Sequence, residues 1–183
     1  MLTRFAIEVT TITSRGEDSF ADTGYVVEYN EVNDRLRTDS IPRITWASEQ
    51  DAINYIEELP VARVGKFTKS HTYEVEAIDY THANQHGYSD TTPFEIVRAV
   101  SDKTIELRSM SAERAADWKP EFVSGGFAGH CTNNGNQSKA WVIKSDPVRY
   151  TVRARLQKDG SWKSSHGRHS LHTAAIKKYD YNF

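Results

Sequence analysis

A single cysteine, Cys131, in a chain of 183 residues rules out an internal disulfide framework and fits a reducing compartment. No run approaches the roughly 18–20 apolar residues that a membrane-crossing helix needs, so no membrane partner is expected. The first nine residues, Met-Leu-Thr-Arg-Phe-Ala-Ile-Glu-Val, alternate as a strand does. They lack the apolar block and small-residue cleavage site of a secretion signal, from which cytoplasmic residence is expected. Apolar residues are scarce at 38%, yet seven Phe, nine Tyr and four Trp bring enough buried area for an aromatic-rich core. A strong net charge is also missing, but the total of −2 conceals an asymmetry. Residues 139–183 carry ten Lys+Arg against three Asp+Glu, leaving 13 against 22 for the rest. A basic tail on an acidic body permits a polyanion-binding face or mutual neutralisation of two packed parts.

The pattern predicts an α+β chain in two parts. Residues 4–11 and 24–30 alternate as strands, with a third candidate at 42–46. One helix follows. Ser48 suits its N-cap, Glu49 and Asp51 suit its positive end, Ala52, Ile53, Ile56 and Leu59 recur at helical spacing, and Pro60 stops it. This ββ(β)α unit, residues 1–64, is expected to place Trp46 and Tyr55 in the seam between sheet and helix. Residues 65–70, Gly-Lys-Phe-Thr-Lys-Ser, read as a linker. The remainder, 71–183, reads as mainly antiparallel β, a partly open barrel or curled sheet: strands at 73–80, 94–100, 104–108, 139–144 and 148–157, a polar loop at 81–92 and a short helix at 111–118.

The strand at 148–157 alternates throughout. Val148, Tyr150, Val152, Ala154 and Leu156 fall on one face, Arg149, Thr151, Arg153 and Arg155 on the other. The turn after it has two readings. A two-residue Asp159-Gly160 turn sets Trp162 opposite Gln157 on the arginine face; a three-residue turn with Gly160 left-handed sets it opposite Leu156 in the core. The second is preferred because it buries the indole. It also puts Lys163 across from Arg155, a like-charge pair that costs stability unless something negative neutralises it: a phosphate backbone, an acidic protein partner or the acidic first part of the same chain. Arg168 belongs to the same basic tail.

The segment GGFAGHCTNNGNQSKAW, residues 125–141, is either a self-bonded loop or a cradle whose His130, Asn133, Asn134 and Gln137 read a polar ligand. Cys131 as a nucleophile needs a base, and its neighbour His130 points the other way along a strand. His166, His169 or His172 would have to approach in the fold, with Asn133 or Asn134 as orienter. The spacing of those three histidines invites a metal, but Gly167 and the lack of nearby carboxylates argue against one. No metal or cofactor is expected.

The run Asp117-Trp118-Lys119-Pro120-Glu121-Phe122, followed by Gly125-Gly126-Phe127, Gly129-His130-Cys131, Asn133-Asn134, Gln137 and Trp141, and closed by Lys178-Tyr179-Asp180-Tyr181-Asn182-Phe183, resembles small uncharacterised proteins of bacteriophages and related mobile elements. The resemblance covers residues 65–183 and brings no catalytic residues with it. It implies a phage accessory product acting in the host cytoplasm, a class that includes anti-CRISPR and other counter-defence inhibitors. Three functions stay open: a non-enzymatic binder that inhibits a host defence protein or ribonucleoprotein complex, a β-barrel module for RNA, DNA or a nucleotide signal, and a Cys/His thiol hydrolase.

Overall fold

The computed structural model describes residues 1–15, 18–30, 35–63, 68–125, 129–135, 137 and 139–182. The chain divides into Thr3–Ile78 and a second unit of Asp79–Phe183 with Met1–Leu2. No helix among the described residues is long and apolar enough to cross a membrane.

In the first unit, β1 (Leu2–Arg15), β2 (Asp18–Asn30), β3 (Arg35–Asp39), β4 (Ala62–Arg63) and β5 (Thr68–Tyr80) form one sheet in the order β3-β2-β1-β5-β4. Ile7, Val9 and Val26 bury against Ala52 of α1 (Glu49–Ile56) and against Leu59. The Ser48 hydroxyl caps α1 by accepting from the Asp51 N–H at 3.2 Å. Trp46 and Tyr55 pack on this core with ring centroids 5.2 Å apart, the seam expected of them.

Two boundaries differ from the sequence reading. The third strand is Arg35–Asp39; residues 42–46 run irregularly and join β1 through the Phe5–Trp46 bridge and through Arg4, which donates to the Thr45 carbonyl at 2.8 Å. The division falls after Ile78 rather than at 65–70. Lys69 and Ser70 pair with Arg63 and Ala62, so what reads as a linker is a hairpin arm that carries β5 back into the first sheet. Residues 64–67 of that stretch lie outside the described residues.

The second unit is a β-barrel. Its strands are β6 (His82–His86), β7 (Thr91–Thr92), β8 (Phe94–Ser101), β9 (Thr104–Ser109), β14 (Thr151–Leu156), β15 (Trp162–Ser164) and β16 (Gly167–His172). They pair in the order β16-β15-β14-β9-β8-β6-β7, and β16 also pairs with β6, which closes six antiparallel strands into a ring. Closure removes the sheet edges that an open curl would expose. Phe94, Ile96, Ile105, Leu107, Ala154, Trp162, Ala83 and His169 are buried at the inward positions. Between β9 and β14 the chain inserts two small ribbons: β10 (Ser111–Arg114) with β13 (Trp141–Lys144), and β11 (Phe122–Val123) with β12 (His130–Cys131).

Three expectations change here. Residues 81–92 hold β6 and β7 rather than a loop, and 111–118 hold a strand rather than a helix, because Ser111–Arg114 finds a full set of partners in β13. Residues 146–149 form a turn, with the Arg149 N–H donating to the Asp146 carbonyl at 3.1 Å, so β14 starts only at Thr151. Val148 and Tyr150 therefore sit 94% and 72% exposed instead of facing the core.

Candidate functional site

The β14–β15 turn takes the three-residue form. Gly160 has φ 77°, Leu156 stands opposite Trp162, and the indole is 2% exposed. Burying the indole inside the barrel fixes the register, and the register fixes the charges. Arg155 faces Lys163 directly, and Lys163 in turn faces Arg168 on β16. Neighbouring strands lie about 4.8 Å apart, so three cations stand side by side across roughly 10 Å of the barrel's outer face. All three are exposed.

The neighbouring row is partly neutralised by contrast. Glu106 stands between Arg98 and Arg153 in register. It accepts two hydrogen bonds from Arg98, at 2.6 and 3.1 Å, and lies 3.5 Å from the Arg153 guanidinium. The Arg98 hydrogen bonds hold the Glu106 carboxyl below the usual range. Arg149 is paired with Asp146 at 2.9 Å and donates to the Ser109 hydroxyl. In the row of three, only Arg168 has a carboxylate, Asp159 at 3.4 Å, and both side chains are largely exposed. Such a surface pair contributes little. Asp159 is depressed first by the Ser161 hydroxyl and N–H, and only later by Arg168. Within the barrel unit, Arg155 and Lys163 have no carboxylate partner among the described residues.

An aromatic pair lies at the end of the barrel where β14 begins. Tyr150, just ahead of β14, stacks on His166 of the β15–β16 turn, with centroids 6.2 Å apart and planes 29° from parallel. His166 in turn lies 5.7 Å from the ring of buried Phe94. Exposed Tyr150 is thus backed by a ring that the barrel end holds in place.

The glycine-rich segment is engaged elsewhere. Buried Gln137 donates to the Tyr179 carbonyl at 2.6 Å and to the Asn134 carbonyl at 2.8 Å, and accepts from the Tyr179 N–H and the Trp141 indole. Asn134 donates to Asp180 and accepts from the Tyr181 N–H. Asn133 accepts from the Glu121 N–H and donates to the Lys119 carbonyl. Of the two readings the sequence left open, the self-bonded loop holds: Gln137 and Asn134 tie down the last residues of the chain, and Asn133 ties Cys131 to residues 119–121. The same C-terminal strap reaches the barrel, where fully buried Asn84 donates to the Ala174 carbonyl and accepts from the Ile176 N–H, and Thr91 and Lys178 exchange two backbone bonds. Gly126, Phe127, Ala128, Asn136 and Ser138 of that segment lie outside the described residues.

Cys131 is 1% exposed, its thiol donates to Asn133 at 3.2 Å, and its backbone is bracketed by Asn182. His130 is exposed on the opposite side of β12, and His166 belongs to the barrel end with Tyr150 and Phe94. No histidine lies within hydrogen-bond reach of the thiol among the described residues. His169 lies inside the barrel, and no cluster of three or more metal-ligating side chains occurs among the described residues.

Of the residues singled out from sequence, Arg155, Lys163 and Arg168 converge on one face, with Arg153 beside them and Arg149 at its margin. The Tyr150–His166 stack is an addition to that set. Register counting through β16 would have placed Arg168 in the row, but His169 at an inward position disguises that strand's alternation. No protein-family model, curated protein or solved structure matches the chain.

Proposed function

We propose that this chain is a non-enzymatic binding module that docks the β14–β16 face of its barrel onto an anionic macromolecule. The observation that carries this reading is the row Arg155, Lys163 and Arg168, three cations on adjacent strands of which Arg168 alone, among the described residues, has a carboxylate beside it. Like charges placed directly opposite cost a sheet stability, and an external anion recovers that cost. In keeping with the resemblance to phage proteins, the partner is a host ribonucleoprotein complex that the protein occupies and inhibits in the cytoplasm as a counter-defence factor. A phosphate-bearing complex suits this face better than a protein whose acidic groups are dispersed.

The test is retention from a bacterial lysate by the tagged intact chain, beside the variant Arg155→Glu/Lys163→Glu/Arg168→Glu. Recovery of a stoichiometric ribonucleoprotein by the intact chain, lost in the variant, supports the reading. Equal retention by both, or no stoichiometric partner, overturns it.

A further inference from the structure

We infer that the component recognised by this face is single-stranded nucleic acid, its sugar–phosphate backbone crossing the row Arg155, Lys163 and Arg168 and a base stacking on Tyr150. The inference rests on the binding function proposed above and adds a ligand class and a new contact to it.

Three features of the face select this ligand. Arg155, Lys163 and Arg168 point outward from adjacent strands because Ala154, Trp162 and His169, their chain neighbours, are buried inside the barrel. Their spacing is therefore held by the core and does not depend on loop conformation. Arg153 lies two residues along β14 toward Tyr150, and the carboxylate beside it, Glu106, is already doubly bonded to Arg98, so one net positive charge remains on that row. Tyr150 follows at the strand's start, 72% exposed and lying nearly flat on His166.

An exposed aromatic ring at the end of a strand whose outer side carries arginines offers unpaired bases a stacking surface, since every base has a face to stack. A duplex hides those faces, and an acidic peptide has none to offer. His166 serves as a backstop: with Phe94 behind it, the ring beneath Tyr150 is fixed in place, which reduces the ordering that binding would otherwise require. Phosphate contacts and stacking read no base edge, so binding tolerates any sequence. The Asn and Gln side chains that might have supplied base readout are bound to the C-terminal strap.

The test is fluorescence anisotropy of the intact purified chain with labelled oligouridylate RNA, oligothymidylate DNA and a duplex, each roughly twelve nucleotides long. Three phosphate contacts on a single strand give a slope of log affinity against log salt of about −2, or about 20-fold weaker binding at ~200 mM than at ~50 mM salt. Lys163→Glu is expected to weaken binding at least tenfold and flatten the slope by about one. Tyr150→Ala is expected to weaken single-strand binding about tenfold and leave the duplex unchanged. Matching unfolding curves for the variants exclude a folding defect.

Binding that does not change with salt, or that survives Lys163→Glu intact, overturns the inference. So does a duplex bound as tightly as either single strand with Tyr150→Ala silent. If no oligonucleotide binds while the charge-reversed variant still loses its ribonucleoprotein, this inference fails and the proposed function stands. If oligonucleotides bind as described and no ribonucleoprotein is retained, the reverse holds.

Discussion

Acidification should open the barrel at the seam where β16 meets β6, and His169 sets the scale. Its ring is 2% exposed, edge-on to Phe94 with centroids 5.0 Å apart. Nδ1 lies 3.3 Å from the Ala83 carbonyl, which can only accept, and Nε2 lies 2.8 Å from the Ser164 hydroxyl. The neutral ring satisfies both by donating from Nδ1 and accepting at Nε2; a second proton turns Nε2 into a donor and places a charge inside the barrel. Burial is the main cause that pushes the imidazole down to about 4, with the nearby His166 and His86 acting in the same direction and the Ala83 carbonyl opposing. The folded value lies below the unfolded one, so the unfolded chain takes up more protons between about pH 6.5 and 4. Stability is therefore complete above that window, falls as pH drops through it and levels off below. The gap amounts to about 3 kcal/mol in full, of which about 2 kcal/mol is lost by pH 5. His82, His86 and His172, on the outer face at the same seam, are also lowered by burial and add to the loss. Urea unfolding of the wild type and of His169→Gln between pH 7.5 and 5 measures it. The variant should lose about 2 kcal/mol of the dependence; an identical pH slope in the two proteins would refute the argument.

Trp162→Ala removes the indole that fixes the β14–β15 register and should cost about 3–5 kcal/mol, read as a lowered urea midpoint. Gln137→Ala leaves the Tyr179 and Asn134 carbonyls, the Tyr179 N–H and the Trp141 indole without their partner, at about 2–4 kcal/mol. Limited proteolysis should then cut the chain near residues 173–182 before it cuts the barrel. Lys163→Gln relieves the like-charge contacts with Arg155 and Arg168 and should stabilise the free protein by about 0.5 kcal/mol; destabilisation would mean that the row is already neutralised.

What could be read from the sequence was local. The α1 cap, the Trp46–Tyr55 seam and the β14–β15 hairpin all depend on residues within a few positions of one another, and a single choice, burying Trp162, decided the hairpin's register. The elements missed are those whose partners are distant. His82–His86 reads His-Ala-Asn-Gln-His, with no apolar alternation, because Asn84 is buried beneath the C-terminal strap about ninety residues later in the chain. β16 carries a histidine at an inward position, so nothing local marks it as the strand that closes the barrel. The domain boundary was missed for a similar reason: β5 pairs within the first sheet, whereas the glycine-led segment before it has the composition of a linker. In the site, Arg153, Arg155 and Lys163 were legible from strand alternation and the hairpin register, but the place of Arg168 in the row was not. The role of Asn133, Asn134 and Gln137 was not, since amides that hold a strap and amides that hold a ligand have the same composition.

The most direct measurement of the central claim is lysine acetylation of the intact protein, alone and with its retained complex or bound oligonucleotide, read residue by residue by mass spectrometry. Lys163 should lose its reactivity on binding while Lys144, exposed on β13, keeps it. Protection of Lys144 with Lys163 unchanged would place the partner elsewhere and contradict the account.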